Sequence, residues 1–154
     1  MSRPADAPRE RDVLTFFCPA CWREIAAKCT LCPWCDADLA ALDREPFDAK
    51  LLRALRHPDV ETVMRAVDIL ARRRTAGADD ALAALYRERP GDPYLAAAIA
   101  RALERIGGDI ACRVIAAMRQ DRSIIARRAA DSAWRRLAGT TSSRAWGSAP
   151  GRPR

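Results

Sequence analysis

From Phe47 to Leu137 the apolar positions return with a spacing of 30 residues: Leu51 and Leu55 align with Ala81 and Leu85, and these with Ala111 and Ile115. Each pair sits at i, i+4, the spacing of one helix face. Every such segment is followed by a polar turn, at residues 57–59, 89–93 and 119–123, and then by a longer apolar stripe. The stripes are Val60, Val63, Val67 and Leu70, then Leu95, Ile99, Ala102 and Ile106, then Ile125, Ala129, Ala133 and Leu137. All three have helical spacing, so the pattern predicts a short and a long helix per unit. Asp59, Asp92 and Asp121 are natural N-caps for the long helices, because a carboxylate there accepts from free N–H groups of the first turn. Pro93 stands where a proline suits a first helical position, and Gly77, Gly107 and Gly139 are expected to end the units.

A two-helix unit of this length predicts a stack in which each pair buries its stripe against the next. The strings LLRALRHPDVETVMRAVDIL and VIAAMRQDRSIIARRAADSAWRRL resemble HEAT-like repeats of the short bacterial kind also seen in phycobilin lyase relatives. Arg65 and Arg127 fall at the arginine characteristic of that repeat, whereas the middle unit has Ala97 near the position. The resemblance implies an all-α fold, a short right-handed solenoid of about three helix pairs over residues 46–138, and an interaction module rather than a catalyst.

Upstream the pattern changes. Five of the six cysteines lie within CPACWREIAAKCTLCPWC, which contains two Cys-Pro-x-Cys turns, Cys18 to Cys21 and Cys32 to Cys35, ten residues apart. Each turn can chelate with two thiolates, and the spacer lets the turns meet as a tetrahedron around one metal ion, zinc above all. Pro19 and Pro33 restrict the turns before the metal arrives. The segment Phe16 to Leu42 resembles the short zinc ribbons of many prokaryotic proteins, with Ile25 and Leu39 at positions that would cover the site. Trp22 and Asp36 stand where that family usually has glycine, so the knuckles place them where φ is positive. Cys29, Cys32 and Cys35 also form a C-x2-C-x2-C run, and an iron–sulfur cluster completed by Cys18 or Cys21 is the rival reading. Cys29 is expected to be a spare thiol, and Cys112 a small buried residue on a helix.

Composition adds partners and compartment. The net charge is +7 and almost wholly arginine, Lys28 and Lys50 being the only lysines. It concentrates at 46–75 (+3), 107–137 (+4) and 138–154 (+3), while 18–45 carries −2 and 76–106 carries −1. Arginine suits carboxylate and phosphate alike. Residues 1–15 are expected to be a flexible N-terminus, 16–43 the zinc-ribbon knuckle, and 139–154 a disordered basic tail containing Trp146. With no signal-like or membrane-spanning apolar run, a cytoplasmic protein with reduced thiols is expected.

No phosphate loop, triad or paired acids mark an enzyme, and His57 lies in a His-Pro-Asp turn. The leading expectation is a non-catalytic, zinc-binding scaffold whose long helices present Arg65, Arg101, Arg105, Arg127, Arg128 and Arg135 to an acidic protein partner. The alternatives are nucleic-acid binding by the same basic face and an iron-binding redox module. No membrane and no small-molecule substrate are implied.

Overall fold

In a computed structural model, residues 16–26 and 29–144 are described, with side chains as far as Gly139. Residues 1–15 and 145–154, with Trp146, lie outside the described residues. The chain divides into two compact units, Met1–Glu45 and Pro46–Arg154.

The first unit adds a β element to the expected all-α body. Strands β1 (Phe16–Phe17) and β2 (Glu24–Ile25) pair antiparallel, with Phe16 opposite Ile25 and Phe17 opposite Glu24, and helix α1 (Leu39–Arg44) closes the unit. Fourteen residues further along the arrangement recurs as a bridge between Leu31 and Asp38. Asp38 also caps α1, its carboxylate accepting from the Ala41 N–H at 2.9 Å. Ile25 and Leu39 are only half-buried, so they make a thin cover rather than a core.

The second unit holds α2 (Phe47–Ala54), α3 (Val60–Arg73), α4 (Ala78–Glu88), α5 (Pro93–Ile106), α6 (Gly108–Met118) and α7 (Ile124–Arg144). These are three short–long pairs. The long helix α5 packs between α3 and α7, and α4 packs on α6. Leu70, Leu82, Leu95, Ile99, Leu103, Ile115 and Met118 are fully enclosed. Alanines on α5 and α7 (Ala96, Ala100, Ala126, Ala130 and Ala133) are buried too, and their small side chains let the helix backbones approach. Ala97, near the repeat arginine's position, is buried in α5, where an unpaired guanidinium would lose its hydration. Polar ties link successive turns: the Arg89 guanidinium donates to the His57 carbonyl at 2.9 Å, and the Tyr86 hydroxyl donates to the Asp121 carboxylate.

Helix boundaries correct the sequence reading in three places. Asp59 and Asp92 cap α3 and α5 as expected, but α7 is capped by Ser123, whose Oγ accepts from the Ile125 and Ala126 N–H groups. Asp121 is engaged elsewhere, by Tyr86 and by the Ser123 N–H. The buried face of α7 is accordingly Ala126, Ala130 and Ala133, while Ile125 is 38% exposed. Gly107 does end α5, at φ 75°, but α3 ends three residues before Gly77, with Arg74 in the left-handed region, and Gly77 precedes α4. Gly139 ends nothing: α7 runs on to Arg144. An interior glycine costs a helix only about 1 kcal/mol, and the next proline is Pro150.

Candidate metal centre and basic helical face

The four cysteines of the paired turns converge. Their sulfurs all lie within 4.8 Å of one another, with Cys18 Sγ 3.8 Å from Cys35 Sγ and Cys21 Sγ 3.7 Å from Cys32 Sγ. An ion bonded to four thiolates at about 2.3 Å sets its sulfurs on tetrahedron edges of roughly 3.8 Å. The donor set therefore fits one metal ion. Cys29 stands outside the group, and none of the six cysteines is in a disulfide.

Local hydrogen bonding explains why the turns hold this shape. In the first, the Cys18 N–H donates to the Arg23 carbonyl (2.9 Å), the Trp22 N–H to the Cys18 carbonyl (2.8 Å) and the Ala20 N–H to Cys18 Sγ (3.4 Å). In the second, the Cys32 N–H donates to the Ala37 carbonyl (2.9 Å), the Asp36 N–H to the Cys32 carbonyl (2.9 Å) and the Trp34 N–H to Cys32 Sγ (3.5 Å). The turns are copies of each other, and the two short sulfur–sulfur distances pair the first cysteine of one with the second of the other. Closing each turn puts Trp22 at φ 61° and Asp36 at φ 55°, the left-handed conformation that the missing glycines would take easily. Cys18 and Cys32 are wholly buried and Cys35 is exposed.

The electrostatics favour thiolate in one place and thiol in another. Desolvation opposes ionisation of Cys32, but donation from the Trp34 and Cys35 N–H groups and from the Cys18 and Cys35 thiols outweighs it, bringing the pKa down to about 7. At Cys35 the Ala37 N–H favours the thiolate, yet desolvation and the neighbouring Cys32, Cys21 and Cys18 sulfurs push the pKa up to about 12. Four sulfurs this close cannot all be negative without a cation among them, so a metal ion held there would bind by displacing protons.

The six arginines expected to meet a partner do not form one set. Arg101 and Arg105 lie on one face of α5 with Ala98, beside Met64, Val67, Asp68 and Ala71 of α3. Together with the exposed Arg128 of α7, they make no side-chain hydrogen bond or ion pair among the described residues. Arg127 is turned back instead, donating to the Asp121 and Arg122 carbonyls at 2.7 and 2.9 Å, so it fastens the turn before α7. Arg65 approaches Glu61 at 3.9 Å, and Arg135 donates to the Asp131 carbonyl at 3.3 Å. His57 also serves a turn, its Nδ1 accepting from the Asp59 N–H at 3.0 Å.

Two features escaped sequence reading. Phe17, Leu31 and Trp34 are exposed around the cysteine turns, with the Trp34 indole N–H held by the Glu24 carbonyl at 3.0 Å and Arg23 over its ring. Tyr94, 65% exposed, leads the α5 series Ala98, Arg101, Arg105; that i, i+4, i+7, i+11 spacing was the available signal.

No protein-family model matches the chain, and neither does any curated protein or solved structure. The residues themselves define a mostly helical protein with a cysteine cluster able to hold a metal ion. Among the described residues, no helix is long and apolar enough to cross a membrane.

Proposed function

We propose that the chain is a non-catalytic interaction module: a zinc-ribbon knuckle followed by a short HEAT-like solenoid whose long helices bind an acidic protein partner in the cytoplasm. The observation that carries this reading is the set of exposed guanidinium groups, Arg101, Arg105 and Arg128, that have no carboxylate partner within the described fold. Unpaired, planar cations fixed on rigid helices are suited to bidentate recognition of carboxylates.

Zinc is supported over iron–sulfur by the sulfur spacing, which suits one ion; a cluster would bind each thiolate on a different iron and spread them further apart. A zinc with four cysteine ligands keeps no open position for water or substrate, so its role is to fold the knuckle. The sequential packing of α3, α5 and α7 supports the solenoid.

Capture from source cells with tagged protein tests the reading, comparing wild type with an R101E/R105E/R128E variant. A defined protein retained by the wild type and lost with the variant is the expected result. An identical retained set would contradict it. Nuclease-sensitive material binding with a steep salt dependence would favour the nucleic-acid reading, for which the same three arginines are the motivating observation.

A further inference from the structure

Among the described residues, two grooves of the helical unit differ in which charges are left unpaired. The groove between α2 and α4, about 380 Å³, is lined by Leu52, Leu55 and Leu85 together with Arg53, Arg56 and Glu88; Arg56 and Glu88 make no side-chain hydrogen bond or ion pair among the described residues, so both signs are open there. The groove between α3 and α5, about 270 Å³, has an apolar floor of Met64, Ala71, Ala98 and Ala102. Its charged lining is Asp68, Arg101 and Arg105. Asp68 is already paired with Arg72 at 2.8 Å, which leaves two guanidinium groups without a counter-charge among the described residues. On the same face of α5, Tyr94 is 65% exposed near the helix start, and Val60 at the start of α3 is 37% exposed. The α5 face is thus apolar toward one end and cationic toward the other.

We infer that the α3/α5 groove binds an acidic segment of a partner protein that carries aliphatic side chains, its carboxylates on Arg101 and Arg105 and its aliphatic groups on the Met64–Ala98 floor. This rests on the interaction-module reading and narrows it to one groove and one ligand chemistry. Charge complementarity selects the sign of the ligand. The apolar floor selects a peptide over a polyphosphate, because a sugar–phosphate backbone gains nothing from Met64 and Ala98, whereas burying a leucine or isoleucine there removes apolar surface from water. The groove, about 270 Å³, is of a size to take a few side chains of a linear segment.

The test pans the metal-loaded full chain against a random peptide library and titrates the enriched peptides onto wild type, R101E/R105E and the control R113E, a charge reversal at an exposed position on α6. All these positions are exposed, and helix content and metal stoichiometry serve as folding controls. The expected peptides are rich in Asp and Glu interspersed with Leu, Ile or Val, and R101E/R105E weakens them by about tenfold or more while R113E changes little. Peptides without acidic excess, an equal loss with R113E, or the absence of any enrichment overturns the inference. Displacement of the peptides by single-stranded RNA assigns the groove to nucleic acid and also overturns it. Acidic peptides that bind R101E/R105E as well as wild type overturn the groove alone and leave the module reading standing.

Discussion

In the first unit Cys18 and Cys32 are the only fully buried residues among those described, whereas the second unit has a continuous apolar core running from Leu51 to Ala133. The two are held by different physics. Apolar burial on the scale of the helical unit can offset its chain entropy directly. The first unit has no comparable interior among the described residues, so under the proposed metal-centre reading bonds from sulfur to metal would supply what packing does not. On the proposed reading, one chain contains a region whose fold is conditional on a bound ion and another whose fold is not.

Removing the metal should separate them most sharply. Structural zinc contributes on the order of 10 kcal/mol in comparable peptides, so a chelator, or Cys18→Ser with Cys35→Ser, is expected to erase the amide dispersion of β1 and β2 in nuclear magnetic resonance spectra. Far-ultraviolet circular dichroism from α2 to α7 should largely persist. Parallel loss of helix would break the distinction.

A cavity in the core should act the other way round. Leu103 on α5 is wholly buried, and Leu103→Ala is expected to lower the unfolding free energy of the helical unit by about 2–5 kcal/mol while metal stoichiometry stays unchanged. Denaturant melting followed by circular dichroism, beside metal analysis, checks both halves.

Smaller effects report on the turns. The Tyr86 hydroxyl donates to Asp121 at 2.5 Å, and Tyr86→Phe should cost roughly 1.5–3 kcal/mol, as expected for a hydrogen bond to a charged group. Desolvation, the hydrogen bond and the charge of Asp121 push the Tyr86 phenol up from 10.0 to about 12. A raised folded-state pKa means that this stabilisation is complete below pH 10.0 and fades as pH climbs toward 12; the gap between wild type and Tyr86→Phe should therefore close over that window. A constant gap would mean that the phenol ionises alike in folded and unfolded chains.

The smallest effect is expected from Asp59→Ala, a modest loss of stability, since Asp59 accepts from the Thr62 hydroxyl and N–H at the start of α3. Those Thr62 contacts hold its carboxyl below 3.8, so the stabilisation is present above that pH and is lost as pH falls through the lower folded-state value. Thermal melts of wild type and variant at neutral and strongly acidic pH would show the difference vanish in acid.

Legibility in the sequence followed the range of the forces involved. The cysteine turns were readable because chelation is local: two thiols three residues apart, a proline between them and a required left-handed residue, found at Trp22 and Asp36. Helix pairs were readable for the same reason, through spacing and the caps Asp59 and Asp92. The register of α7 was not, because two acceptors, Asp121 and Ser123, compete for one cap, and a distant Tyr86 decides between them by occupying Asp121. Nor did hydrophobicity rank the α7 face correctly, since close approach to α5 favours Ala126 over the bulkier Ile125. The paired and unpaired arginines look alike in one dimension; Arg127 is distinguished from Arg128 by loop carbonyls that the fold brings to 2.7 and 2.9 Å from its guanidinium.

X-ray absorption spectroscopy of the protein as purified, at the edge of whatever metal it carries, addresses the first unit most directly. Four sulfur neighbours at about 2.3 Å around zinc, with no oxygen or nitrogen in the shell and no second metal beyond it, is the predicted spectrum. A light-atom ligand, which would mean an open coordination position, or a metal–metal distance, which would mean a cluster, would contradict it.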